Sequence, residues 1–433
     1  MQLYSTNDKT NIVDLKEALF KSLPADKGLY MPSEITPLPY SFLSRLSDYN
    51  FQEIAISVCQ MLFQGSIPRA DVEQIVKKSI TFPAPVKSLT KDLHILELFH
   101  GPSLAFKDFG ARFMAQLMSY FLQEDNRKLT ILVATSGDTG GAVASGFYKT
   151  PGIEVIILYP SGKVSHLQEK QLTTLGENIQ AVEVDGTFDD CQALVKRAFL
   201  DDQLNEVYNL SSANSINIAR LIPQSFYYFE AFKQIHQKYK PTVFVVPSGN
   251  FGNLTAGLLA KKLGLKIDRL VAATNLNDVV PQYLESGEFK PRMSQTTISN
   301  AMDVGNPSNF SRMMDLYSST WNNVRNDIIG YKCDEDDTRR VIREVYQQYD
   351  YTLCPHTAVG VYAAERFQQD FYTANKVVLA TAHPSKFIDV VEKEINTKVH
   401  IPQRLAELAD REKHSTPMSD QFQYFKDWLL KRR

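Results

Sequence analysis

Short apolar runs rich in β-branched residues recur at residues 129–134, 153–159, 179–184, 242–246, 269–273 and 376–380. A strand with one wet face alternates apolar and polar positions, whereas a strand covered on both faces is apolar throughout, as in a parallel sheet. Between the runs the period changes. Across residues 108–123, Phe109, Phe113, Leu117 and Phe121 recur every four positions and form one stripe of a helix. Strands alternating with helices predict βαβ units and an α/β architecture. Phe422, Phe425 and Leu429 share a helical face near the end of the chain, which predicts a docking helix. The acidic run at 334–337 reads as a solvated loop.

The 433 residues, at ~150 per domain, suggest two or three folding units. The prolines in TFPAPVKSL disfavour helix and mark a connector near residue 85. The expected division is therefore 1–85, a smaller α/β unit at 86–210 and a larger one at 211–433. Lys and Arg number 47 against 49 Asp and Glu, a net charge of −2 without the basic excess that a nucleic-acid partner requires. The four cysteines, Cys59, Cys191, Cys333 and Cys354, are widely separated, and none of the eight histidines completes a zinc spacing, so no metal site is expected. No basic start precedes an apolar stretch, and no run approaches the ~20 apolar residues that span a bilayer. These features predict a cytoplasmic protein with reduced thiols and no membrane partner.

Two strand-to-helix junctions are candidates for anion binding. In the first, the run at 129–134 leads into TSGDTGG, which sets backbone N–H groups and the hydroxyls of Ser136 and Thr139 at a helix start. In the second, TVFVVP leads into Ser248, Gly249, Asn250, Phe251, Gly252 and Asn253. Two such cradles suit a ligand with two negative ends, although each turn by itself is equally well a plain βα connection. Neither is a nucleotide fingerprint: no GxGxxG follows a strand, and Ile157 stands where a Walker glycine would precede Ser161-Gly162-Lys163.

Lys107, flanked by Phe106 and Phe109 where a helix begins, is either a snorkelling surface lysine or a desolvated amine able to form a Schiff base. Within Asn214-Ser215-Ile216-Asn217-Ile218-Ala219-Arg220, amide, hydroxyl and guanidinium groups suit a phosphate, or Asn214 and Asn217 only cap a helix. Thr381 and His383 follow the run at 376–380, at the strand edge where α/β proteins bind ligands.

In order and spacing, LPADKGLYMP, HGPSLAFKD, TSGDTG, NSINIAR, SGNFGN and TAHPSKF resemble the threonine synthase family of fold-type II pyridoxal-phosphate (PLP) enzymes over nearly the whole chain. The resemblance implies two open parallel-sheet α/β domains with an N-terminal extension. The smaller domain would carry Lys107 and the SGDTG loop, and the larger one the PLP phosphate loop and C-terminal helices. It further implies that Lys107 holds pyridoxal 5'-phosphate and acts as the catalytic base. Gly249, Asn250, Phe251, Gly252 and Asn253 would bind the cofactor phosphate, and Thr381 would offer its hydroxyl to the pyridine nitrogen. Asp138 would lie beside the ring oxygen, where many relatives carry Asn. Ser136, Thr139, Asn214, Ser215 and Arg220 would hold the phosphate of O-phospho-L-homoserine, which the family converts with water into L-threonine and phosphate. A monomer or homodimer is expected. The competing readings are a phospholyase of the same family, giving 2-oxobutyrate, and a non-catalytic binder of phosphorylated metabolites.

Overall fold

The structure is a computed structural model and describes residues 1–123, 128–235 and 240–432. All six apolar runs form strands, each to within one residue of its expected bounds: Leu129–Ala134, Ile153–Pro160, Ile179–Asp185, Thr242–Pro247, Arg269–Thr274 and Asn375–Ala380. Helices cover both faces of these strands, so four of them are buried at every position.

The strands divide between two sheets. One has five parallel strands in the order Thr416–Ser419, Ile179–Asp185, Ile153–Pro160, Leu129–Ala134, Asn209–Ser212. The other has six, in the order Ile328–Lys332, Arg269–Thr274, Thr242–Pro247, Asn375–Ala380, Leu93–Glu97, Val86–Ser88, and only its last pair is antiparallel.

The chain division expected at residues 85 and 210 does not coincide with the sheets. Val86–Ser88 and Leu93–Glu97 pair in the six-stranded sheet, while Thr416–Ser419 returns to the five-stranded one. The helix Phe422–Leu430 follows and buries Phe422, Phe425 and Leu429 among Leu132, Ile156 and Val184 of that same sheet. Parallel neighbours are joined by long crossovers, so proximity in sequence is a poor guide to which sheet a strand enters.

The N-terminal segment is built into the core. Gln2–Ser5 pairs antiparallel with Ile12–Asp14 and Tyr30–Pro32. The helix Phe51–Phe63, opened by an Asn50/Glu53 capping box, meets the helix Lys107–Leu122 through Phe51 and Phe109, whose ring centroids are 5.8 Å apart. Phe63 and Phe113 extend the contact at 6.5 Å.

The acidic run at 334–337 is not a loop. Asp334 caps the helix Glu335–Tyr349 by accepting the Asp337 N–H at 2.8 Å, and Glu335, Asp336 and Asp337 lie in its first turn, where negative charge opposes the helix dipole. Among the described residues no helix is long and apolar enough to cross a membrane.

Candidate active site

The strand Asn375–Ala380 ends against the start of the helix Lys107–Leu122. Ala105 bridges Ala382, the Phe106 N–H donates to the Thr381 carbonyl at 2.9 Å, and the His383 N–H donates to the Leu104 carbonyl at 3.0 Å. Segments more than 270 residues apart are thereby stitched so that Lys107 emerges beside Thr381.

Lys107 is half-buried, and among the described residues its Nζ makes no hydrogen bond or ion pair; it lies over the Phe106 ring, 5.9 Å from the centroid. Burial pushes its ammonium down to about 8, with Lys386 and Arg220 acting in the same direction and Asp138 opposing them. This is an amine unpaired among the described residues, in a partly buried, positively biased setting.

Asp138 opens the helix Asp138–Phe147. Its preceding turn is shaped by the Thr135 hydroxyl, which accepts the N–H groups of Gly137 at 2.9 Å and Gly140 at 2.8 Å. Gly137 has φ 130°, and a Cβ there would lie 2.6 Å from Gln168 Cδ, so both conformation and space demand glycine. Asp138 Oδ1 accepts from Gln168 Nε2 at 2.9 Å and from Lys386 Nζ at 2.6 Å. Burial alone would raise its pKa, but Lys386 and Lys107 hold the carboxyl well below the usual carboxylate range. Ser136 and Thr139 are half-buried at the same helix start.

The second turn begins the helix Gly252–Lys262, whose first N–H groups, on Gly252 and Asn253, have no carbonyl within the helix to bond. A Cβ on Gly249 would sit 2.7 Å from Met302 Cα, so the turn is pressed against backbone. Phe251 is left-handed (φ 59°) with its side chain buried, which leaves only its main chain for a ligand. The Asn253 side chain is engaged internally: Nδ2 donates to the Pro247 carbonyl at 2.8 Å, and Oδ1 accepts from the Ser248 hydroxyl. Asn250 Nδ2 donates to Ser215 Oγ at 2.6 Å, tying this turn to the 214–220 segment.

In that segment Arg220 is buried. One guanidinium nitrogen donates to the Ala213 carbonyl, while Nε has no partner. Burial pulls its pKa down to about 10, with Asp108 opposing. The Asn214 side-chain oxygen is likewise buried without a partner. Asn217 proves to be a cap: it accepts the Ala219 N–H at 3.0 Å and donates to the Leu19 carbonyl at 2.8 Å. Arg220 Nε, a donor without a partner, lies against Gly110 of the helix Lys107–Leu122. Helix-start N–H groups at the 252–253 turn are a donor set suited to phosphate, so the residues present fit a phosphorylated cofactor. A Gly249→Ala substitution, which presses a methyl group into Met302, is expected to weaken PLP binding about tenfold, or ~1.4 kcal/mol, in an absorbance titration.

Sequence reasoning missed Lys386, Gln168, His356 and Arg312. Lys386 was within reach, inside TAHPSKF, but nothing local marks a lysine as buried. The buried His356 accepts the Ala301 N–H at 3.1 Å, and burial pushes it down to about 4, so it is a neutral neighbour. Arg312 is fully buried and directs its N–H groups at the carbonyls of Tyr30, Ser215 and Ile216 and at Asn309 Oδ1.

A lysine unpaired among the described residues, in a chain of two mostly parallel α/β sheets with glycine-bearing turns at helix starts, is the arrangement a pyridoxal-phosphate-dependent enzyme uses. Residues 80–382 accordingly match the family model described as "Pyridoxal-phosphate dependent enzyme". Residues 2–80 match "Threonine synthase N terminus" and 357–428 match "Threonine synthase, C-terminal". The threonine synthase of Escherichia coli K12 is 43% identical over 411 residues, 95% of each chain. The crystal structure of an Escherichia coli threonine synthase superposes with TM-score 0.93 at 40% identity, covering 100% of both chains. A PLP-bound threonine synthase from Brucella melitensis gives TM-score 0.92 at 34% identity, covering 99% of this chain and 98% of its own. The chain belongs to the threonine synthase family.

Proposed function

We propose that this site converts O-phospho-L-homoserine and water into L-threonine and phosphate. The observation that carries the reading is the pairing of two phosphate-ready donor sets with one amine unpaired among the described residues: the turn at 249–253, and the set Ser136, Thr139, Asn214, Ser215 and Arg220, of which Ser215 is bonded to Asn250 of that turn. A cofactor phosphate suits the first set and a substrate phosphate the second. When bound, PLP supplies an electron sink for charge developing next to the substrate's amino group.

The remaining steps fall to the chain's own residues. Lys107, neutral in an appreciable fraction near pH 8, is the base for the Cα proton and then for a Cβ proton. Arg220 and the hydroxyls of Ser136 and Thr139 hold the charge of the phosphate as its bond to Cγ breaks. Water then adds its oxygen at Cβ, and protons return to the carbon skeleton to give threonine. With PLP bound, Thr381 would offer the pyridine nitrogen a neutral partner, and Asp138 would constrain the proton on the ring oxygen.

The four cysteines are buried and free, in keeping with a cytoplasmic location. Incubation with O-phospho-L-homoserine is expected to release L-threonine and phosphate in equal amounts. Release of 2-oxobutyrate and ammonia instead would overturn the reading in favour of a phospholyase.

A further inference from the structure

Two lysines lie within electrostatic reach of Asp138, but only one touches it. The Lys386 side chain is 0% exposed; its Nζ lies 2.6 Å from Asp138 Oδ1 and donates to the Ser103 carbonyl at 2.8 Å. Gln171 Nε2 donates to the same carbonyl at 3.1 Å, and the Ser103 N–H donates to Asp108 Oδ2 at 2.8 Å. A continuous chain of bonds therefore runs from Asp138, through the turn Pro384–Phe387, to the loop that precedes Lys107. A lysine taken wholly out of water is rare unless a carboxylate requires it.

We propose that Lys386 is a positioning residue that occupies Asp138 and so keeps the Lys107 amine unpaired and free to react with an aldehyde. The proposal rests on the reading of Lys107 as the reactive amine. Without Lys386, Asp138 and Lys107 become the facing opposite charges of a dry site. Their attraction then draws the flexible Lys107 into contact and holds it as an ammonium.

The other charged or titratable groups facing Lys107 do not take over this task. Arg220, from Ile218–Leu221, is a cation without a bond to Asp138. His356, from Pro355–Asp370, is held neutral by burial. Asp108, on the helix of Lys107 itself, is pushed up to about 6 by burial and accepts the Ser103 N–H.

The test is reductive methylation of the full-length protein freed of PLP, with labelling of Lys107 followed by peptide mass spectrometry across pH. Lys386→Met is expected to raise the midpoint of Lys107 labelling by about one pH unit or more. Lys386→Arg, which keeps the cation, leaves it near that of the parent protein. Asp138→Asn lowers it, because the charge of Lys386 then acts on Lys107 uncompensated. A mere packing defect changes the melting curve without moving the midpoint in opposite directions. An unmoved midpoint in folded Lys386→Met, or shifts of the same sign in Lys386→Met and Asp138→Asn, overturns the proposal. Should Lys386→Met fail to fold, Asp138→Asn decides alone, and an unmoved or raised midpoint counts against it. Mapping the lysine that borohydride fixes to PLP in the parent protein tests the underlying reading separately. A label elsewhere removes that reading, whereas a label on Lys107 with an unmoved midpoint removes only the role of Lys386.

Discussion

Lys107→Ala is expected to lower kcat/KM for O-phospho-L-homoserine by about a thousandfold or more, while the melting curve changes little. The two halves of this outcome have separate causes. Lys107 is the first residue of its helix, where its N–H needs no helical carbonyl, and its amine makes no hydrogen bond or ion pair among the described residues. Truncating it therefore removes no tertiary bond. The chemistry loses the amine that is free among the described residues of the site, since Lys386 is committed to Asp138 and the Ser103 carbonyl. An ordinary lysine titrates near ~10.4, so the pull of burial down to about 8 makes the neutral amine far more abundant near neutral pH. In the protein freed of PLP, labelling of Lys107 by an amine reagent should accordingly rise with pH through this region as the amine loses its proton. A Lys107→Ala enzyme that retains even a tenth of the parent rate would remove the amine from the mechanism.

Arg312→Met is expected to destabilise the fold by about 3 kcal/mol or more in urea unfolding and to weaken PLP binding as well. Two effects oppose each other at this position. Burial drives the pKa of Arg312 down to about 9, a sign that its charge is held at a penalty that methionine would remove. Against that stand four acceptors that lose their donors: the carbonyls of Tyr30, Ser215 and Ile216, and Asn309 Oδ1. The Tyr30 carbonyl and Asn309 Oδ1 are buried, and each left unmet costs ~1–3 kcal/mol; the partly buried Ser215 and Ile216 carbonyls add less, and together they exceed the relief of one charge. The effect reaches the site because Asn309 donates to the Asn250 carbonyl at 3.0 Å and Ser215 accepts from Asn250. One guanidinium thus braces the N-terminal strand, the 214–220 segment and the turn at 249–253. If the variant melts and binds PLP like the parent, this bracing role is disproved.

Much of this arrangement was legible in the chain. Most of the six long strands could be found because burial on both faces leaves a nearly continuous apolar run, a signal that needs no knowledge of neighbours, while Ile179–Asp185 stood out despite Gln180 and Glu183. Leu93–Glu97 and Thr416–Ser419 escaped notice because LHILE carries His94 and Glu97, and TPMS has no apolar run at all. These two become strands through parallel pairing with Asn375–Ala380 and Ile179–Asp185. The acidic residues at 334–337 looked like a loop because charge density says nothing about the helix that follows, whose start they stabilise. Within the site, the turns and Lys107 were visible as motifs. The engaged state of the Asn253 side chain and the capping role of Asn217 depend on partners outside those motifs, Pro247 and Leu19 among them.

By itself, then, the amino-acid order determined which stretches are strands and helices, where glycines and hydroxyls shape turns for anions, and which lysine begins a helix between aromatic residues. Those properties are local, set by side-chain periodicity and by backbone freedom at single positions. Only the tertiary structure decided which sheet each strand joined, which polar groups stayed unpartnered, and that Lys386 and Arg312 would be buried charges near the site. Burial and pairing are properties of a neighbourhood assembled from distant segments, and a charged side chain carries no local mark of whether water or protein will surround it.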